Sequence, residues 1–165
     1  MRVLNRKGDF IPAKADPHLT QDKYDELVAK LEHLKKVARL RLMKEVAKEA
    51  ENGDFSENAS YQIAKGKLRG VNEGILHLEE HLKKAIIIKT DSNKSVVGLG
   101  SRVTIKTDDE EKTYLILGSS EVDLKKNIIS HNSPLGLALL GRRKGEMIEL
   151  KKQAQIRRYT ITNIQ

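Results

Sequence analysis

The chain contains no cysteine and no tryptophan, and aromatic residues make up only 4% of its 165 positions. Without cysteine there is neither a disulfide framework nor a Cys-ligated metal centre. So few rings leave little for a base-stacking surface, because recognition of single strands relies on aromatic faces. Long apolar runs are missing too, and a stretch such as Ala85-Ile86-Ile87-Ile88 is far too short to span a bilayer. Residues 1–17 lack the apolar core of a signal peptide. Gly98-Leu99-Gly100 has neither the spacing nor the Lys of a phosphate loop, and Ser119, Ser120 and Ser130 have no evident His and acid partners. The five histidines show no ligand-like grouping beyond His77 and His81, which read as an ordinary surface pair. The expectation is a cytoplasmic chain with no membrane partner and no nucleophilic catalysis.

What is abundant is charge, at 33% of residues with a net +8. Residues 85–165 hold 14 basic and 9 acidic side chains, whereas residues 20–84 are nearly balanced at 13 and 12. A moderate positive field suits encounter with a polyanion and is equally compatible with plain solubility.

Residues 1–17, with Pro12 and Pro17, show no lasting period and read as an N-terminal tail. Thr20 is placed to cap a helix, with Asp22 in its first turn. Tyr24, Leu27, Leu31, Leu34 and Ala38 then recur at alternating threes and fours, the seam of a coiled coil. Leu42, Val46 and Ala50 continue at fours, so the stripe drifts around the rod. Gly53 supplies the residue type that ends helices. A second seam, Leu68, Val71, Ile75, Leu78 and Leu82, follows in the next helical pattern. Helices joined by so short a bend pack antiparallel. A symmetric bend near residue 53 or 54 makes facing residue numbers sum to about 107, within the boundary error of such readings. Leu31 is then expected near Ile75 or Leu76, and Arg39 near Leu68. Gly66, Gly70 and Gly74 weaken the second helix, and close approach of its partner is the compensation inferred.

After Lys89 the period changes to two. Arg102–Thr107 and Thr113–Leu117 read as strands across an acidic turn, and Ile128–Ser130 as a third. Pro134–Leu140 reads as a short helix capped by Ser133, and Glu146–Leu150 and Ile156–Ile164 as further strands. The expected fold is α+β: a tail (1–17), a long antiparallel helical hairpin (18–86) and a small globular α+β domain (87–165).

The bend carries the chemistry. Asp54 and Glu57 lie three apart at the start of a helix, so their carboxylates share a face. That spacing fits a capping box, with Asp54 or Ser56 as N-cap, and it also fits oxygen ligation of a hard cation; the two do not exclude each other. Two exposed carboxylates are too few to hold Mg²⁺ alone, an ion usually shared with substrate phosphates. The tip therefore makes sense as a visitor to a host's metal-dependent phosphodiester site. Around it Lys35, Lys36, Lys44 and Lys48 upstream, and Lys65, Lys67 and Arg69 downstream, form either a solvated face or a phosphate-tracking neck.

Gly53-Asp54-Phe55-Ser56-Glu57-Asn58-Ala59-Ser60-Tyr61 closely resembles the tip motif of the bacterial Gre transcript-cleavage factors, the GreA/GreB family. The segment from Ile129 to Gly141 is similar to the Ile-Ser-x-x-Ser-Pro…Ala-Leu block of the same family. The resemblance implies a coiled-coil hairpin followed by an FKBP-like domain. It also implies a partner, RNA polymerase, whose secondary channel the hairpin enters. Asp54 and Glu57 then correspond to the acids donated to the polymerase active site, where they help hold a Mg²⁺ that the free protein does not bind stably. Phe55, Ser56 and Asn58 are the supporting tip positions. Lys65, with Lys44, Lys48, Lys67 and Arg69, is expected to face the 3′ end of backtracked nascent RNA, and Asn132, Ser133 and Pro134 to grip the polymerase. The implied function is stimulation of the polymerase's own RNA cleavage by a factor that is a monomer when free and not itself a nuclease. The alternative is a channel-binding modulator without cleavage. Ala50, where many relatives carry Arg, and the large Phe55 depart from the pattern.

Overall fold

A computed structural model describes residues 16–51, 59–89, 95–107, 110–152 and 155–165. Thr20 begins the helical part as the sequence implies: its Oγ1 accepts the Lys23 N–H at 3.3 Å. From there α1 (Gln21–His33), a π-helical turn (Leu34–Ala38) and α2 (Arg39–Ala50) run on without a break. The wide turn, closed by the Arg39 N–H on the Leu34 carbonyl, lies where the apolar spacing changes from alternating threes and fours to fours. An extra residue in one turn rotates everything that follows. The drift in the sequence and the wide turn are thus one feature.

The return helix, α3 (Ala59–Lys83), packs along both α1 and α2. Two ion pairs fix its direction: Lys35 Nζ to Glu79 Oε1 at 2.5 Å, and Lys67 Nζ to Glu45 Oε1 at 3.2 Å. Ten residues forward on one helix match twelve residues back on the other, so the helices are antiparallel. Leu27, Leu42, Ala64 and Ile75 are buried between them.

Two expectations need correction. The paired residue numbers sum to 114 and 112, so facing positions sum to about 113 rather than 107. Residue 31 comes level with about 82, and 39 with about 74, not with Ile75 or Leu68. A glycine marks where a helix stops, whereas facing pairs are set by how two apolar stripes mesh. The glycine argument also fails: a Cβ on Gly66, Gly70 or Gly74 would meet nothing within 4 Å. These glycines do not admit the partner helix.

The second part is a five-stranded sheet in the order β5-β4-β3-β7-β6, from β3 (Arg102–Lys106), β4 (Glu111–Leu117), β5 (Ile128–Ser130), β6 (Met147–Lys152) and β7 (Gln155–Ile164). β4 and β5 pair parallel, the other neighbours antiparallel. In β3, buried Val103 and Ile105 alternate with exposed Arg102 and Lys106, the period-two pattern of a half-buried strand. With Ile116, Ile129, Ile148, Ile161, Val97 and Leu139 they form one core, and Leu139 comes from α4 (Pro134–Leu139). The expected α+β architecture, hairpin plus sheet domain, is the one observed.

The two parts meet at a short parallel ladder absent from the sequence reading. β1 (His18–Leu19) pairs with β2 (Ile86–Ile87), so the strands flanking the hairpin are joined at its base. Leu19 is fully buried. Gly118 lies so close to the His18 carbonyl that a Cβ there would clash with it.

Candidate functional site

The tip residues Asp54, Phe55, Ser56, Glu57 and Asn58 lie outside the described residues. What the structure does give is the frame that carries them: α2 ends at Ala50, α3 is described from Ala59, and the segment between them joins the two.

The observed register relocates the neck. With facing numbers summing to about 113, Lys65 comes level with Lys48 and Arg69 with Lys44. On the register expected from sequence they stood beside residues 38 to 42, which is farther from the bend. All four side chains are exposed. Among the described residues, Lys44 and Lys48 have no carboxylate partner. Lys65 Nζ lies 5.7 Å from the centre of the Tyr61 ring, within cation–π range. Arg69 reaches Glu73 at 3.8 Å along its own helix. Lys67 stands apart, since its ammonium spans the hairpin to Glu45 and contributes to the register. Such a half-exposed pair is worth about 0.2–1 kcal/mol and leaves the ammonium free to exchange partners.

In the globular part, Ser133 is fixed by its cap. Its Oγ accepts the Gly136 N–H at 3.0 Å and donates to the Ser130 carbonyl at 2.6 Å. Asn132 is held by its backbone N–H on Ser130 Oγ at 3.0 Å, with its side-chain amide 3.4 Å from Ser119 Oγ. This network aims the exposed Asn132 and Pro134 outward, with Leu137 one turn on and 61% exposed. Asn132, Ser133 and Pro134 thus belong to one hydrogen-bonded turn of the sheet domain, while the neck lysines belong to the hairpin.

Sequence reasoning missed the junction between the two. Asp16, read as part of the tail, is buried. Its Oδ2 accepts the Ser119 N–H at 2.7 Å, and its Oδ1 accepts the His18 N–H at 3.1 Å. Burial pushes the carboxyl pKa up, but the backbone N–H of Ser119, followed by the hydrogen bonds of His18, outweighs it and holds the group at about 2. His18 Nδ1 lies 3.0 Å from Oδ1, His131 Nδ1 lies 3.3 Å from Oδ2, and His81 Nε2 lies 2.8 Å from the Asp16 carbonyl. Three histidines far apart along the chain therefore converge on one residue, and His81, read from sequence as half of a surface pair with His77, instead reaches the Asp16 carbonyl. Beside them Glu121 accepts from the Thr20 N–H at 2.7 Å and from its hydroxyl at 2.5 Å, tying the start of α1 to the sheet domain.

Among the described residues no helix is long and apolar enough to cross a membrane. Comparison with known proteins covers nearly the whole chain. Residues 18–87 match the family described as transcription elongation factor, N-terminal, and residues 92–165 match transcription elongation factor, GreA/GreB, C-term. The transcription elongation factor GreA of Clostridioides difficile is 42% identical over 151 residues, covering 88% of this chain and 94% of that protein. The GreA of Paracoccus denitrificans is 34% identical over 148 residues, covering 88% and 95%. The crystal structure of GreA factor homolog 1 (Gfh1) of Thermus thermophilus aligns over 91% of this chain and 99% of its own, at 26% identity and a TM-score of 0.42. With both family models in chain order and relatives this similar over most of their length, the chain belongs to the GreA/GreB family of transcription elongation factors.

Proposed function

We propose that the protein docks its globular domain on RNA polymerase, inserts the hairpin through the secondary channel, and stimulates the polymerase's own Mg²⁺-dependent cleavage of backtracked RNA. The observation that carries this reading is the placement of Asp54 and Glu57 in the link between two antiparallel helices. Helical residues 21–50 span about 45 Å, long enough to carry that link far from the sheet domain. Asp54 and Glu57 are hard oxygen donors and would hold Mg²⁺ only together with ligands from the polymerase. That ion supplies a polarised water and stabilises the leaving oxygen. Phe55, Ser56 and Asn58, the other motif positions, support the two acids in this reading. Lys48 and Lys65 at one level, with Lys44 and Arg69 at the next, guide the phosphates of the extruded 3′ end, and Lys67 joins them when it leaves Glu45. Asn132, Ser133 and Pro134 grip the polymerase surface. The factor is not a nuclease by itself, because its own carboxylates are too few to assemble a catalytic ion. It works as a monomer in the cytoplasm.

Incubation with a stalled, backtracked elongation complex tests this. Asp54→Ala and Glu57→Ala are each expected to lower stimulated cleavage by two orders of magnitude or more (about 10²–10³, as for loss of a group that stabilises transition-state charge). Polymerase binding should stay within about twofold, since rim charges away from the docking face add little to affinity. Free RNA should remain intact. No shortening with the unmodified protein at any Mg²⁺ concentration would favour a channel-binding modulator, and equal loss of binding and cleavage would remove the role given to the tip.

A further inference from the structure

The junction holds a set of donors that the elongation role does not use. Asp16 and His18 lie just before α1, and His131 lies in the turn after β5. One ligand atom from each of the three lies within 4.8 Å of the other two. The two imidazole rings meet edge to face, with centres 5.2 Å apart at 78°. We propose that Asp16, His18 and His131 form a binding site for a divalent transition-metal ion, Zn²⁺ in the first instance, at the seam between hairpin and globular domain.

The donor chemistry selects the ion. Two imidazole nitrogens and one carboxylate suit Zn²⁺ and its neighbours, whereas Mg²⁺ and Ca²⁺ take oxygen. Zinc bonds of about 2.0–2.1 Å in a tetrahedron place neighbouring ligand atoms about 3.3 Å apart. The two His-to-Asp separations are near that value, though each imidazole faces a different oxygen: His18 Nδ1 lies 3.0 Å from Oδ1 and His131 Nδ1 3.3 Å from Oδ2. Binding requires both carboxylate oxygens on the ion, or one ring turned towards the other's oxygen, and His131 Nδ1 must give up its 3.4 Å contact with the Leu117 carbonyl.

Support around the ligands is also in place. Each carboxylate oxygen is oriented by a backbone N–H, Oδ1 by His18 and Oδ2 by Ser119. His81 fixes the Asp16 main chain through its carbonyl. Groups that orient a ligand in this way raise affinity by about 10–100-fold. The Asp16 and His131 side chains are 5% and 15% exposed, and His18, at 30%, leaves a route in from solvent. A neutral imidazole here donates to the carboxylate when its proton is on Nδ1. With metal, that proton moves to Nε2 and the Nδ1 lone pair binds the ion, so a neutral ring releases no net proton. Because the ligands come from both sides of the seam, the ion would clamp the base of the hairpin to the sheet domain.

The test uses untagged full-length protein stripped with EDTA, titrated with Zn²⁺ against a chromophoric chelator and, separately, with Co²⁺ to read its visible absorption. The expected result is one ion per chain. Affinity should fall at least tenfold in His18→Gln and in His131→Gln, since direct ligands matter at least as much as supporting groups. His33→Gln and His77→Gln, which lie outside the cluster, should bind as the unmodified chain does. Imidazole NMR of the unmodified protein gives a second readout that needs no variant: Zn²⁺ should shift the His18 and His131 rings and leave His33 and His77 in place. Absence of binding, or binding that shifts His33 or His77 instead, overturns the proposal.

Discussion

The hairpin and the sheet domain are built on opposite plans. The sheet closes around eight buried apolar side chains from all five strands, α4 and the segment before β3, four of them with no solvent exposure. The hairpin buries Leu27 and Leu42 on one helix and Ala64 and Ile75 on the other, and most of its remaining seam is half-exposed. Val37, Leu40, Met43, Ile63 and Leu76 stay exposed on its surface. A two-helix rod has one buried stripe per helix and no second layer to cover the rest. The sheet domain can hold itself together, whereas the hairpin depends on its base and on cross-helix contacts.

The sharpest way to break this comparison is to truncate one side chain in each part. Ile161→Ala, at a site with no exposure, should cost about 3–5 kcal/mol and melt the sheet domain. Ile75→Ala should cost about 2 kcal/mol, because half-exposed neighbours can settle into the space. Hydrogen exchange resolved by region checks both, and equal costs would mean the hairpin is as tightly packed as the sheet. A smaller effect of opposite sign is expected from Gly70→Ala. With open space around the new methyl and helical backbone on either side, it should stabilise the hairpin by about 1 kcal/mol in thermal unfolding. A loss instead would mean that α3 meets a neighbour there. Smallest is the Lys35–Glu79 pair. A double-mutant cycle with Lys35→Met and Glu79→Met should give about 0.2–1 kcal/mol at low salt, fading towards zero near 1 M.

The same contrast explains what could be read from the sequence. Val103 and Ile105, Ser133 followed by Pro134, and the two helical seams announce themselves through local periods and caps, and each element formed where expected. The helix register came out about six residues off, because both stripes are long and repetitive and many alignments look alike. Lys65 and Arg69 consequently sit beside Lys48 and Lys44 and closer to the bend than expected. The glycines of α3 misled because a missing side chain signals either a close neighbour or none. The Asp16, His18 and His131 junction was invisible because it joins positions more than a hundred residues apart, through a strand pair only two residues long on each side. Asp54 and Glu57 lie outside the described residues, so their reading rests on the sequence alone.

The two-residue ladder between β1 and β2 deserves a mechanical reading. An arm of about 45 Å converts a tilt of about 5° at its root into roughly 4 Å of sweep at its far end. Catalytic groups misplaced by about 1 Å can lose a hundredfold in rate. Fastening both roots together, then bolting one to the body through Glu121 and Ser119, confines that sweep. Loosening either bolt should therefore blur aim long before it lowers the melting temperature.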